Sequence, residues 1–541
     1  MSGRQFTRCP LLLLLLSCAA LAASASGPGE RIYREGMLPG GQALHAVRDP
    51  GLQLSGNEAA CINCHRRSGL GMTEGRATIP PVAGIYLEHP RAGIVDDLDL
   101  PFVEGMRADR DPYTDASLAR AIRTGVGVEG NPLNYLMPRY DLDDASMTVL
   151  IDYLRHLSPG KVPGVTDGEL NFATIVTPDA NPVVRAGVLE VLDKFFTDKN
   201  HYRRGDAPRL RSSHRMMFKA YRTWRLHVWE LTGRPETWEA QLRVRLAAEP
   251  VFAVISGVGG KDWEPVHRFC EAQSLPCLFP NVDLPAVDAR GFDTLYLSKG
   301  VLLEAGLIAH ALSSRRAEAT PVRLVQVFRA DDVGREAARE LARLLGPEGF
   351  TCIERGLSST AGSGELRRAL STVGPQDIVV FWLRPRDLAA LGPRPKQIQS
   401  VYVSGRMGAL EHAPLAADWR AVALMAYPFD LPELRRVRVD FPMGWFSIRK
   451  IPVVAEQAQT DTWMTCSIVS DALNHMADTF VRDYLVERIE QMLEHRLITG
   501  YYPRLALGQN QRFASKGGYL VRFADPAGTK IRPEGGWITG S

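Results

Sequence analysis

Cys61, Cys64 and His65 stand in the pentapeptide Cys61-Ile62-Asn63-Cys64-His65, two thiols three positions apart followed at once by an imidazole. Each thiol can add to one vinyl group of a porphyrin, and the histidine beside them is then held against the iron as an axial ligand. The spacing predicts one covalently attached haem c, with Cys61 and Cys64 as anchors and His65 as an iron ligand. With 8 Cys and 12 His in 541 residues, chance would supply about 0.003 such pentapeptides, so coincidence is a poor rival. A zinc half-site would need a second ligand pair, and no further CxxC or HxxxH follows at zinc spacing.

Haem attachment of this kind takes place outside the cytoplasm, and the amino terminus reads as an export signal. Arg4 and Arg8 precede the run Leu11 to Leu16, and small residues lead to Ala23-Ser24-Ala25, which has the form of a signal-peptidase site. That run is too short for a bilayer core of about 30 Å, which takes roughly 20 apolar residues. Leu15-Leu16-Ser17-Cys18 offers a rival cut, a lipobox-like sequence that would leave Cys18 lipidated. The expectation is a signal peptide over 1–25 and a periplasmic protein, touching the membrane only if Cys18 carries lipid.

Around the haem motif the sequence builds helices. Thr114 or Asp115 caps one that carries Leu118, Ala121 and Ile122 on a single face and stops at Gly125. Leu136-Met137-Pro138-Arg139-Tyr140 follows, and Asp141 or Asp143 then caps a second helix with Met147, Leu150, Ile151, Leu154 and Leu157 at helical spacing. With Tyr33, Gly36, Gly69, Gly71 and the Tyr153-Leu154 step, residues 28–160 resemble the class I cytochrome c family. The resemblance implies a small all-α domain and gives Met137 the role of second axial ligand; Met106 and Met72 are the alternatives. Iron held by one imidazole and one thioether carries single electrons and has no open position for peroxide or oxygen.

Residues 158–168 are rich in proline and glycine and have no hydrophobic period, and 161–168 read as a linker. From Glu169 onward strands and helices alternate. Strands are expected at Leu170 to Val176, Val251 to Ile255, Pro276 to Phe279, Val322 to Phe328, Ile378 to Leu383, Ser400 to Val403 and Val422 to Ala426. Helices are expected at Pro182 to Phe196, Trp263 to Gln273 and Val333 to Leu345. Alternation of this kind means a doubly wound α/β arrangement with a mainly parallel sheet. The run from Val251 to Gly260, the segment Leu275 to Pro280 and the run from Val322 to Arg329 resemble the type I periplasmic binding proteins, the branched-chain amino-acid receptor group. The likeness covers 169–515, leaving 516–541 as a C-terminal extension, and implies two lobes that close on a small-molecule ligand. Ser256 with the amides of Gly257, Gly259 and Gly260 follows a strand at its carboxyl end and could hold a ligand carboxylate; a glycine-rich connection is the plain alternative.

Other features have ordinary explanations. The basic stretch Lys199 to Arg215 and the acidic segment between Tyr86 and Asp111 read as solvated surface, and Trp463 to His495 as a long core helix. Cys270 and Cys277 are either a disulfide or two buried thiols. The formal charge of +3, or +1 without Arg4 and Arg8, gives no reason to expect nucleic acid. No hydrolytic motif is completed, so no enzyme is expected. The leading expectation is a periplasmic electron carrier working with a dehydrogenase or oxidase, its second domain binding or docking something. The alternatives are the solute receptor of an ABC-type transport system with an accessory haem and, further off, a haem peroxidase.

Overall fold

The computed structural model describes residues 27–74, 77–88, 110–157, 162–206, 222–286, 291–314, 322–476, 480–508 and 511–539. The export signal with Cys18, the alternative ligand Met106, most of the acidic segment and the end of the basic stretch lie outside them. Two compact units divide the chain, one ending at residue 157 and one beginning at residue 162 among the described residues.

In the first unit, the helix Pro28–Glu35 packs against the helix Asp144–His156. Gly29 makes the close approach possible, because a Cβ there would stand 2.1 Å from the Val149 carbonyl oxygen. Thr114 caps the helix Asp115–Thr124 reciprocally with Ser117, and Asp143 caps Asp144–His156 by accepting from the Ser146 amide at 2.6 Å. Ile32, Tyr33, Leu118, Ile122, Met147, Leu150 and Leu154 form the core between these helices.

This unit is not all-α, as the sequence reading had it. His45–Arg48 pairs antiparallel with Leu52–Ser55 and, on its other side, with Arg139–Asp141; Met72–Glu74 and Ala77–Ile79 form a further hairpin. The turn signal was present in Asp49-Pro50-Gly51, with apolar and polar residues alternating after it in Leu52-Gln53-Leu54-Ser55.

The second unit has two α/β lobes. In the first, Asn281–Val282, Val258–Gly259, Glu169–Val176, Ala253–Ile255, Cys277–Leu278 and Thr294–Leu295 lie in that order, all parallel, with Thr223–Glu230 also paired to Glu169–Val176. In the second, Thr351–Leu357, Arg323–Arg329, Ile378–Trp382, Ser400–Ser404 and Ala423–Tyr427 run parallel, and Gly517–Phe523 closes antiparallel on Ala423–Tyr427. Strands buried on both faces need apolar side chains on both, which explains the unbroken runs in the sequence. Trp229, Trp238 and Trp263 anchor the first lobe's core; Phe328, Trp382 and Tyr402 anchor the second.

Three boundaries differ from the sequence reading. Residues 162–168 are not a free linker: Val165 bridges to Leu170, and the Asn171 amide donates to the Gly164 carbonyl at 2.8 Å. Residues beyond 515 are not an extension, since Gly517–Phe523, Ile531–Pro533 and Ile538–Thr539 belong to the second lobe's sheet. The segment from Trp463 to His495 holds parts of two helices, Glu456–Met476 and Arg482–Leu493. Among the described residues no helix is long and apolar enough to cross a membrane.

Candidate functional site

The first unit encloses a cavity of about 370 Å³, and Cys61, Cys64, His65 and Met137 all line it. Cys61 is the N-cap of the short helix Ile62–His65 and Cys64 lies within it, and the His65 amide bonds the Cys61 carbonyl at 2.9 Å. The His65 ring is buried, and its Nδ1 lies 2.9 Å from the Pro80 carbonyl oxygen. A carbonyl only accepts, so Nδ1 carries the proton and Nε2 keeps its lone pair. Burial also holds the imidazole below its ordinary pKa, with the Pro80 bond opposing, which favours the neutral form that ligates metals. Burial pushes the Cys61 thiol up to about 12, although the Tyr140 hydroxyl bonded to it pulls the other way.

Met137 is fixed from both sides. Its amide donates to the Asn134 carbonyl at 2.9 Å, and two residues later Arg139 enters the strand paired with His45–Arg48. Met72, the other candidate that is described, sits on the hairpin strand Met72–Glu74 and does not line the cavity. Most of the remaining wall is apolar, including Ile79, Val82, Leu118, Ile122 and Leu150.

In the second unit a smaller cavity of about 160 Å³ lies between the lobes, lined by Asn181, Gly259 and Ser298 from one side and by Arg384, Arg406 and Met407 from the other. Gln457 and Asp461 on the helix Glu456–Met476 reach it, as does Tyr502. Asp461 is 4% exposed; its Oδ2 accepts from the Tyr502 hydroxyl at 3.2 Å, and its Oδ1 has no hydrogen-bond partner among the described residues. Burial lifts this carboxyl to about 7 against the pull of Arg406. The Arg406 guanidinium lies over the Phe429 ring, 5.6 Å from its centroid, and forms no ion pair among the described residues. Beneath it, buried Glu304 accepts from the Ser404 hydroxyl and from the Arg406 amide at 2.9 Å, and burial likewise lifts its carboxyl to about 7.

The lobes touch across this cavity. Arg384 Nη2 bonds Asp283 Oδ2 at 2.6 Å while its Nε bonds Asp332 Oδ2 at 2.8 Å, and Lys261 Nζ donates to the Asp331 carbonyl at 2.9 Å.

Of the glycine-loop residues singled out by sequence, only Gly259 lines the cavity. Ser256 is buried, its hydroxyl donating to Thr462 Oγ1 at 2.8 Å and accepting from Asn281 Nδ2 at 2.9 Å. Gly257 lies against the Trp263 ring, where a Cβ would stand 2.5 Å from it. The Gly260 amide donates to Asp179 Oδ1 at 3.3 Å and the Lys261 amide to Asp179 Oδ2 at 2.9 Å. Ser256 and Gly260 therefore spend polar groups on the protein's own hydroxyls, amide and carboxylate, which leaves Gly259 as the one of these residues on the cavity wall. Asp461, Arg406 and Tyr502 had no local spacing to announce them. The one signal was a polar run, Gln459 to Thr462, inside a helix that packs into the core.

No protein-family model and no curated protein matches the chain. Solved structures are similar in fold. A fatty acid ABC transporter substrate-binding protein from Thermomonospora curvata is 14% identical, covering 71% of this chain and 95% of its own, with a TM-score of 0.47. A possible leucine/isoleucine/valine-binding protein from Rhodopirellula baltica is 15% identical over 68% and 97%, with a TM-score of 0.46. A leucine-binding protein from Thermotoga maritima is 13% identical over 68% and 99%, with a TM-score of 0.44.

Proposed function

We propose that the second unit is a periplasmic solute receptor of the ABC-transport type, and that the first unit carries a covalently attached haem as its redox accessory. The observation that carries the receptor reading is the cavity between the lobes, where both lobes supply wall and where, among the described residues, the Arg406 guanidinium has no ion pair and the Asp461 Oδ1 no hydrogen-bond partner. Leaving such groups unmatched in a closed cavity costs about 1–3 kcal/mol each, and a solute that pairs them recovers it. The fitting molecule is small, with an anionic group for Arg406 and a hydrogen-bond donor or cation for Asp461. Closing the lobes over it excludes water, and the Arg384–Asp283 pair holds them shut. Native mass spectrometry of protein from an exporting host tests the reading. A bound small molecule, lost from an Arg406→Ala variant, supports it; an empty cavity and no binding across amino and hydroxy acids by calorimetry overturns it.

The haem reading is supported by the donor set in the first unit: two thiols, a neutral imidazole with a free Nε2 and one thioether, on the wall of one apolar cavity. Cys61 and Cys64 would anchor the group, and His65 and Met137 would hold its iron. Bound there, it supplies a one-electron iron couple. The residues hold and shield: Pro80 orients His65, the turn at Asn134 sets Met137, and the apolar wall keeps water out. With a second axial donor in place, electron exchange with a dehydrogenase or oxidase is favoured over peroxide chemistry. Haem mass that survives denaturation supports this; its absence overturns it.

A further inference from the structure

We propose that Arg48 and Arg110 form a paired anion site in the first unit's cavity and hold the two propionate carboxylates of the haem; this rests on the haem reading above. Among the described residues, the wall of that cavity includes both arginines and His65, and no aspartate or glutamate. Arg110 is fixed in place by neutral groups alone: its guanidinium donates to the Tyr86 carbonyl at 2.6 Å and to the Asp111 carbonyl at 2.9 Å, and lies 4.5 Å from the centre of the Tyr113 ring. Burial holds it below its ordinary pKa, opposed by Tyr113 and then by exposed Glu129, which forms no ion pair with it among the described residues. The Arg48 side chain has no hydrogen bond or ion pair among the described residues.

Among the described residues, three acids of this unit are already committed. Asp49, next to Arg48, is paired with Arg139 at 2.9 Å, and Glu88 and Asp115 are both held by Arg155. Both guanidinium groups are half-buried beside an apolar wall, where an anion that joins them offsets desolvation. A carboxylate matches the planar fork of arginine, and a haem brings two. Neither residue comes from the haem motif. Arg48 ends the strand His45–Arg48, and Arg110 precedes the helix Asp115–Thr124, so the two cations are set by elements the attachment chemistry does not require.

Paired this way, the arginines are positioning residues that also disfavour the more positive ferric state, because like charge raises its energy in a poorly screened interior. The test is spectroelectrochemical titration of the whole protein carrying Arg48→Gln, Arg110→Gln or both, beside Arg48→Lys and Arg110→Lys, at one pH and ionic strength. Covalent haem is scored on each by denaturing mass spectrometry. The midpoint potential should fall in each glutamine variant, fall furthest in the double, and return most of the way in the lysine variants. Wild-type potentials in glutamine variants that carry covalent haem overturn the proposal while leaving the haem reading standing. Wild-type protein without covalent haem removes both.

Discussion

Arg384 of the second lobe donates to Asp283 of the first at 2.6 Å while its other edge is held by Asp332. Because Asp332 belongs to the same lobe as Arg384, the guanidinium stays aimed whether or not the lobes are closed, and only the Asp283 bond is made on closure. Both side chains of that pair are more than a third exposed, so solvent screening limits its worth to about 0.5–1 kcal/mol. Asp283→Asn should weaken capture of the recovered solute by roughly 2- to 5-fold, chiefly through faster release. Small-angle scattering without solute should show a more open second unit. Unchanged release and an unchanged radius would mean that the pair is incidental to closure.

Buried Asp461 and Glu304 oppose each other's neighbours in a way that pH reveals. Each carboxyl is lifted to about 7 by burial, from ordinary values of 3.8 and 4.5. Between those ordinary values and about 7 the folded state holds protons that the unfolded chain has lost, so stability falls as pH rises through this window. The solute-free second unit should therefore unfold at lower denaturant at pH 8 than at pH 5. Capture of a solute that gives Asp461 a donor or cation should run the other way, tightening as pH rises through 7. Parallel trends in the two measurements would rule out Asp461 as a ligand group. Asp461→Asn should flatten its share of both curves.

Arg406 is tied at its backbone, while its head lies over Phe429 and forms no ion pair among the described residues. Its amide is bound to Glu304, whereas its guanidinium faces the cavity. Arg406→Ala keeps the amide bond and should cost about 2–3 kcal/mol of capture, roughly 30- to 150-fold, by removing a charge-assisted bond. Calorimetry with the recovered solute checks this; a loss under threefold would place the solute's anionic group elsewhere.

Gly71 links the haem motif to the hairpin below it. Its φ is +71°, its amide bonds the His65 carbonyl at 3.1 Å, and a Cβ would stand 2.0 Å from the Ile79 carbonyl oxygen. Gly71→Ala meets both strain and collision, at a cost of about 1–3 kcal/mol. A lower melting transition of the first unit is expected, together with less haem attached per chain. Wild-type melting and loading would mean that the segment shifts freely.

How far the sequence carried differs between the two units, for a physical reason. The haem motif and the helices around it are local: Thr114, Asp143 and Gly125 act within a turn of where they stand, and their roles are readable from neighbours alone. Strands with unbroken apolar runs were also readable, because doubly buried strands need them, whereas Thr223–Glu230, Thr351–Leu357 and Gly517–Phe523, whose apolar runs are broken by polar residues or glycine, were not. The cavity between the lobes is assembled from Asn181, Arg406, Asp461 and Tyr502, which only the folded topology brings together. The glycine loop drew attention because its form suits a ligand, but Asp179 and Trp263, neither of them marked by the loop itself, fill it from within.

Met137 lies on the same cavity wall as His65, on a loop held by Asn134 before it and by the strand Arg139–Asp141 after it. Met137→Ala removes a thioether without touching either tie or the thiols, so covalent attachment should survive. With one axial donor gone, the haem protein should bind added imidazole or cyanide readily, and its potential should fall, because the soft sulfur that favours the ferrous state is absent. Visible spectra with and without imidazole, together with a redox titration, check both expectations on one sample. A variant with the wild-type spectrum and potential would show that another side chain ligates the iron.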